Sequence, residues 1–108
     1  MAFAVRFTSG ARKDLRALHT YIAKNDSLEN ADYVAREIIR TAMTLQDSPN
    51  RGAHPPELLK RGSHTFRQIF FKPYRILYRI RGGTVFVGVI ADGRRDMASL
   101  LRRRFPDT

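Results

Sequence analysis

Three short runs rich in Val, Ile, Phe and Tyr fill the stretch from Phe66 to Asp96, FRQIFFKPYRILYRIRGGTVFVGVIADGRRD, and are cut by Lys72-Pro73 and by Arg81-Gly82-Gly83. Apolar runs parted by turn residues predict an antiparallel meander. Side chains alternate along a strand, so in the middle run Tyr74, Ile76, Tyr78 and Ile80 share one face and Arg75, Leu77 and Arg79 the other. The first face is expected to be core. The second is expected to be partly cationic and to be joined by Arg67 of the first run. Long guanidinium side chains are costly to bury unpaired, so that face must offer them solvent, a carboxylate or a phosphate. It is the leading candidate for function.

Upstream, Phe3, Val5 and Phe7 alternate with Ala2, Ala4 and Arg6 over residues 2–7, which predicts a strand with one buried face. Thr8 or Ser9 can cap a helix from about Gly10 to Lys24, whose apolar stripe is Ala11, Leu15, Leu18 and Ile22. Asn25-Asp26-Ser27 breaks this helix and can cap a second, in which Leu28, Ala31, Ala35, Ile38, Ala42 and Leu45 recur at helical spacing. Two such helices joined by a short break form an antiparallel hairpin, expected to cover the apolar face of the sheet. Residues 46–65, interrupted by Pro49, Gly52, Pro55, Pro56 and Gly62, read as irregular, with Leu58 and Leu59 docking the loop on the core. Beyond the meander, Asp92-Gly93 marks a turn and Asp96 caps a short helix through Met97, Leu100 and Leu101 toward Arg104. The predicted order is β-α-α-β-β-β-α. It defines an α+β fold in which a small antiparallel sheet packs against an N-terminal helical hairpin, one domain over residues 1–108.

Composition then narrows the partners. A hydrophobic content of 43% fits a globular chain. No apolar run approaches the roughly 20 residues that cross a bilayer, and the N-terminal stretch shows no charged segment followed by a long apolar one, so the expected location is the cytoplasm. The absence of cysteine removes disulfides and thiolate ligands. His19, His54 and His64 are scattered without nearby carboxylates, and neither a metal nor a cofactor is expected. The formal net charge of +10 points to an acidic partner, nucleic acid or protein. Residues 66–108 hold ten Lys and Arg against three Asp and Glu, whereas residues 1–65 hold ten against seven, so the excess is concentrated toward the end of the chain. Arg102-Arg103-Arg104 would also suit a helix C-terminus, which is their purely structural explanation.

No nucleophile-and-base arrangement, glycine-rich phosphate loop or glycosidase-type carboxylate pair is present. The chemistry that remains is metal-free RNA cleavage. Arg67, Arg75, Arg79 and Arg95 would stabilise charge on the phosphorane, and His64 and Tyr74 are the available acid and base. Both have plainer readings, His64 as a polar loop residue and Tyr74 as part of the core.

The order of elements, the basic charge, the segment PYRILYRI at 73–80, the glycine turn and VGVIADGRRDMASLLRRR at 87–104 together resemble the RelE/ParE superfamily of bacterial type II toxins. The resemblance covers essentially the whole chain. It implies a toxin held inactive by an acidic, labile antitoxin that wraps around it. RelE-like members cut mRNA in the ribosomal A site; ParE-like members lack the nuclease residues and poison DNA gyrase. Arg75 and Arg95 match the arginines that RelE-like nucleases place on the scissile phosphate. Phe66, followed by Arg67, stands where those nucleases carry a lysine, and Leu101 where they carry a tyrosine. Loss of these groups removes the plausible base and the stacking platform. The long helical hairpin is also more ParE-like, although Gly93-Arg94-Arg95-Asp96 departs from the His-Met-Asp type residues frequent there.

Two readings follow from the resemblance. The first is a ParE-like gyrase poison that contacts an acidic surface or DNA backbone through Arg67, Arg75, Arg79, Arg94, Arg95, Arg102, Arg103 and Arg104. The second is a RelE-like, ribosome-dependent mRNA endoribonuclease with Arg67, Arg75, Arg95 and His64 at the phosphate. A cognate acidic antitoxin, in a hetero-oligomer, is the expected partner in both, and no membrane is involved. A third, an inactive relic, would bind only the antitoxin.

Overall fold

The computed structural model describes residues 2–106. In chain order these form β1 (Ala4–Phe7), α1 (Ser9–Asn25), α2 (Leu28–Met43), a 3-10 turn at Thr44–Gln46, α3 (Pro56–Leu59), β2 (Arg67–Phe71), β3 (Tyr74–Arg81), β4 (Thr84–Asp92) and α4 (Met97–Arg104). The helix starts lie at the predicted caps. Thr8 Oγ1 accepts from Ala11 N, Ser27 Oγ from Asn30 N and Asp96 Oδ1 from Ser99 N, each satisfying an amide that the first helical turn leaves without a partner. The irregular stretch is more ordered than its Pro and Gly content suggests, because Pro56 is compatible with a first helical turn and opens α3.

The strand order is β1-β4-β3-β2. β2, β3 and β4 form the expected antiparallel meander, and β1 adds in parallel to β4, so the sheet is mixed rather than wholly antiparallel. Val5 lies opposite Val85 and Phe7 opposite Val87, so β1 extends the apolar face at the free edge of β4. Gly82 takes a φ of +60° in the two-residue β3–β4 turn, a conformation that needs no Cβ penalty only in glycine.

The helical hairpin covers one face of this sheet. Ala11, Ile22, Ala31, Val34, Ile38, Ala42 and Leu45 pack with Ile69, Ile76, Tyr78, Val85, Val87 and Ile90 in the main core. Small residues at 11, 31 and 42, all fully buried, allow helices and sheet to approach closely. Leu28 departs from the predicted stripe: it opens α2 at the hairpin turn and is 61% exposed. Leu58 docks the long loop as expected, while its neighbour Leu59 points away from the core.

The opposite face is covered too, contrary to the expectation of an outward cationic surface. Phe66, Leu77, Val89 and Ala91 are buried there beneath Leu58 of α3 and Met97, Leu100 and Leu101 of α4, forming a second core. The apolar stripe of α4 has no other place to bury itself, and the alternate residues of β3 and β4 supply the matching surface. Arg67 also lies on the other side from that predicted. The tight turn at Lys72-Pro73 sets Phe71 against Tyr74, which places Arg67 opposite Tyr78, on the hairpin face, and Gln68 and Phe70 on the face of Arg75. No helix among the described residues is long and apolar enough to cross a membrane.

The buried Tyr78 hydroxyl ties residues 49–52 to the sheet, donating to Pro49 O at 2.6 Å and accepting from Gly52 N at 3.0 Å. Tyr78→Phe leaves both backbone groups without this partner. It is expected to lower stability by about 1–3 kcal/mol, read as a lower urea midpoint with an unchanged denaturant slope.

Candidate functional site

The predicted arginines separate into two groups. Arg75 is only 8% exposed. Its Nη1 and Nη2 donate to the two carboxylate oxygens of Glu57 at 2.7 and 2.9 Å, and its Nε and Nη2 donate to Gln68 Oε1 at 2.8 and 2.6 Å. Glu57 arrives on α3 and Gln68 on β2. The Arg75 hydrogen bonds hold the Glu57 carboxyl below the usual carboxylate range, against the upward push of burial. Arg75 is therefore neutralised from within and is not displayed. Arg67 donates to the carbonyls of Asn50 and Gly52, which makes it a brace for the loop. Arg79 is half-buried, its guanidinium 5.9 Å from the centroid of the Phe66 ring.

Arg104 fastens α4 to the rest of the fold. β1 ends opposite Val87, so the remainder of β4 has no strand on that side. Two side chains take the vacant hydrogen-bonding positions: Asp14 Oδ2 accepts from Ile90 N, and Arg104 Nη1 donates to Gly88 O, each at 3.0 Å. Arg104 Nη2 also donates to Asp14 Oδ1 at 2.7 Å. A Cβ on residue 10 would lie 2.7 Å from Arg104 Nη1, so glycine there leaves room for the arginine to reach the sheet edge. The sequence did hold a signal for Asp14, three residues after Ala11 and four before Leu18 on the apolar side of α1, where an unpaired carboxylate would be unfavourable. Glu57 gave no such signal, because its partner is eighteen positions away across an irregular loop.

Arg94, Arg95, Arg102 and Arg103 are the exposed members. Arg94 donates through Nε and Nη2 to the two carboxylate oxygens of Asp92, and these bonds lower the Asp92 pKa. Arg102 donates to Ser99 Oγ. Arg95 lines two recesses at once. One, of about 490 Å³, lies between α1 and the ends of β3 and β4, with Ala17, Leu18, Tyr21, Tyr74 and Ile90 as its apolar lining and Asp14, Asp92, Arg94 and Arg95 as its charged members. The other, of about 260 Å³, is bounded by Arg95, Leu100, Arg103 and Arg104.

The arrangement fits binding better than acid–base chemistry. His64 is an exposed loop residue packed edge-on against His54 at 5.2 Å, and neither Arg67 nor Arg75 is displayed beside it. Burial, then the nearby Asp92 carboxylate, raises the Tyr74 hydroxyl pKa, so it is protonated at neutral pH. Leu101 is fully buried in the second core and presents nothing to a ligand. Among the described residues, no cluster of three or more His, Asp or Glu could hold a metal ion.

The fold and the exposed arginines define a small basic toxin domain of the RelE/ParE type. The sequence profile described as ParE toxin of type II toxin-antitoxin system, parDE, matches residues 5–97, and the chain belongs to this family. In shape it is similar to the chromosomal ParDE toxin–antitoxin system from P. aeruginosa, with a TM-score of 0.71 and 20% identity over 84% of this chain and 96% of that one. It is also similar to the toxin–antitoxin complex RelBE2 from Mycobacterium tuberculosis, with a TM-score of 0.64 and 25% identity over 85% and 92% of the two chains. A free arginine-to-alanine double mutant of the E. coli toxin RelE gives a TM-score of 0.62 and 18% identity over 93% of each chain. No curated protein sequence matches.

The Arg75–Glu57 pair yields a signed prediction. Because the folded Glu57 pKa lies below the ordinary 4.5, the pair's stabilisation is fully present above that value and is lost as pH falls through the folded pKa. Glu57→Gln should flatten this part of the acid limb. Glu57→Ala, which leaves the buried guanidinium without its counter-charge, should cost about 3 kcal/mol near neutral pH. Urea unfolding at a series of pH values measures both effects.

Proposed function

We infer that this ParE-family toxin acts in the cytoplasm by poisoning DNA gyrase and is neutralised by a cognate acidic antitoxin. The observation that carries the choice of target is the enclosure of Arg75. A ribonuclease of this superfamily needs that guanidinium on a phosphate, and here it is buried and held by Glu57 and Gln68. Phe66 and Leu101, in the positions that resemble the nuclease lysine and tyrosine, are committed to the second core. The contact with the target falls to Arg94, Arg95, Arg102 and Arg103, which are exposed. Arg67, Arg75, Arg79 and Arg104 serve the fold.

The antitoxin reading rests on charge and shape. A chain of net charge +10 favours an acidic partner. The cleft between α1 and the strand ends combines an apolar lining with Arg95, which no carboxylate among the described residues pairs, beside the Arg94–Asp92 pair and Asp14, and an amphipathic acidic segment could engage it through Arg95. Two of the structurally similar proteins are toxin–antitoxin assemblies.

Induced expression of the toxin alone should stop growth, and purified toxin should block gyrase supercoiling while leaving translated mRNA intact. Cut mRNA with unaffected supercoiling would instead establish the ribosome-dependent endoribonuclease, and unimpaired growth would point to a relic that only binds antitoxin. Charge reversal at the cleft rim, Arg94→Glu with Arg95→Glu, should weaken the antitoxin complex at least about tenfold in a titration.

A further inference from the structure

The second recess holds one arginine, Arg95, whose placement the fold does not explain. Arg95, Arg103 and Arg104 surround a cup of about 260 Å³ with Leu100 as its apolar member. Arg104 is fixed in place by Asp14 and Gly88 O. The guanidiniums of Arg95 and Arg103 make no side-chain hydrogen bond or close ion pair among the described residues, although Arg103 lies within electrostatic reach of Asp96. Cations in the last turn of α4 complement the negative end of the helix dipole, which accounts for the placement of Arg102, Arg103 and Arg104. Arg95 has the opposite situation. It directly precedes the Asp96 cap, at the positive end of α4, where a cation is disfavoured. Its neighbour Arg94 is compensated by Asp92, and Arg95 is not. An external anion would satisfy both free guanidiniums.

We propose that this cup receives a backbone phosphate of duplex DNA, so that the toxin contacts directly the DNA on which its target acts. The proposal rests on the gyrase reading for its biological setting, and it selects DNA backbone over an acidic protein surface as the anion met by Arg95 and Arg103. Three arginines lining one small recess, two of them unpaired among the described residues, match a compact phosphate with several acceptor oxygens. An isolated carboxylate is satisfied by one arginine, as Asp92 is by Arg94. Arg102, exposed on α4, can meet a neighbouring phosphate along the strand. Since Arg95 also borders the apolar cleft, a peptide seated there and a phosphate in the cup would compete for the same side chain.

The test is fluorescence anisotropy of a labelled 20-base-pair duplex with the full-length toxin, without gyrase, over a salt series. Wild type should bind with a steep salt dependence. Arg95→Ala with Arg103→Ala should bind about tenfold or more weakly and lower the logarithmic salt slope by about 1, the single phosphate that the cup neutralises. The charge-matched control, Arg36→Ala with Arg81→Ala, removes exposed arginines on α2 and at the far end of β3 and should bind close to wild type. Polyglutamate at equal charge should fail to displace the duplex. The proposal is overturned if wild type does not bind, if the two double variants lose affinity equally, or if polyglutamate competes as well as unlabelled DNA. Retained supercoiling inhibition with no DNA binding would refute this inference alone, and DNA binding without inhibition would refute the gyrase reading alone.

Discussion

A guanidinium inside a protein has to be met by acceptors, and the burial of Arg75 imposes that requirement on much of this fold. Its guanidinium makes four hydrogen bonds to a carboxylate and a side-chain amide supplied by two different elements. The loop between α2 and β2 must return to the sheet to deliver Glu57, and β2 must pair in the one register that sets Gln68 beside β3. Truncating either acceptor would leave charge or hydrogen-bonding capacity uncompensated in a low-dielectric site, which is far more costly than the loss of an exposed ion pair. The short helix α3, unexpected in so irregular a stretch, is the support that carries the carboxylate.

The same enclosure gives the sheet two cores. The helical hairpin seals one face by the packing of small alanines, and α4 seals the other through Met97, Leu100 and Leu101. α4 has eight residues, and an isolated helix of that length is not stable in water, so its order comes from this packing and from its ties to neighbours. The Asp14–Arg104 pair is the principal tie. It joins the first helix to the last across the open part of β4 and occupies the backbone positions that a further strand would otherwise use. An exposed strand edge invites unwanted pairing, and filling it with side chains blocks that route.

With both faces covered, the arginines of the predicted set that stay exposed are Arg94, Arg95, Arg102 and Arg103, on the β4–α4 turn and α4. This division separates arginines that build the fold from those free to meet a partner. Membership of the ParE family of toxin-antitoxin toxins gives the second group a context in which an antitoxin partner is expected, while Arg75 is committed to the fold.

Most of the architecture was legible in the sequence because it follows from local periodicity. Apolar spacing placed both hairpin helices, turn residues divided the meander, and Thr8, Ser27 and Asp96 marked helix starts to within a residue. The alternation along β3 correctly put Tyr74, Ile76, Tyr78 and Ile80 on one face. It could not say what lay over the other face, since that depended on how α4 and a loop folded back from distant parts of the chain. The parallel addition of β1, the side of the sheet on which Arg67 falls, and the pairing of Arg75 with Glu57 and of Arg104 with Asp14 are likewise decisions of tertiary structure. Charge and apolar pattern in the sequence determined that a basic α+β domain with a helical hairpin on a small sheet would form. Which of its arginines remained available to another molecule was decided only by long-range packing, because a guanidinium is sequestered or displayed according to neighbours that lie far from it along the chain.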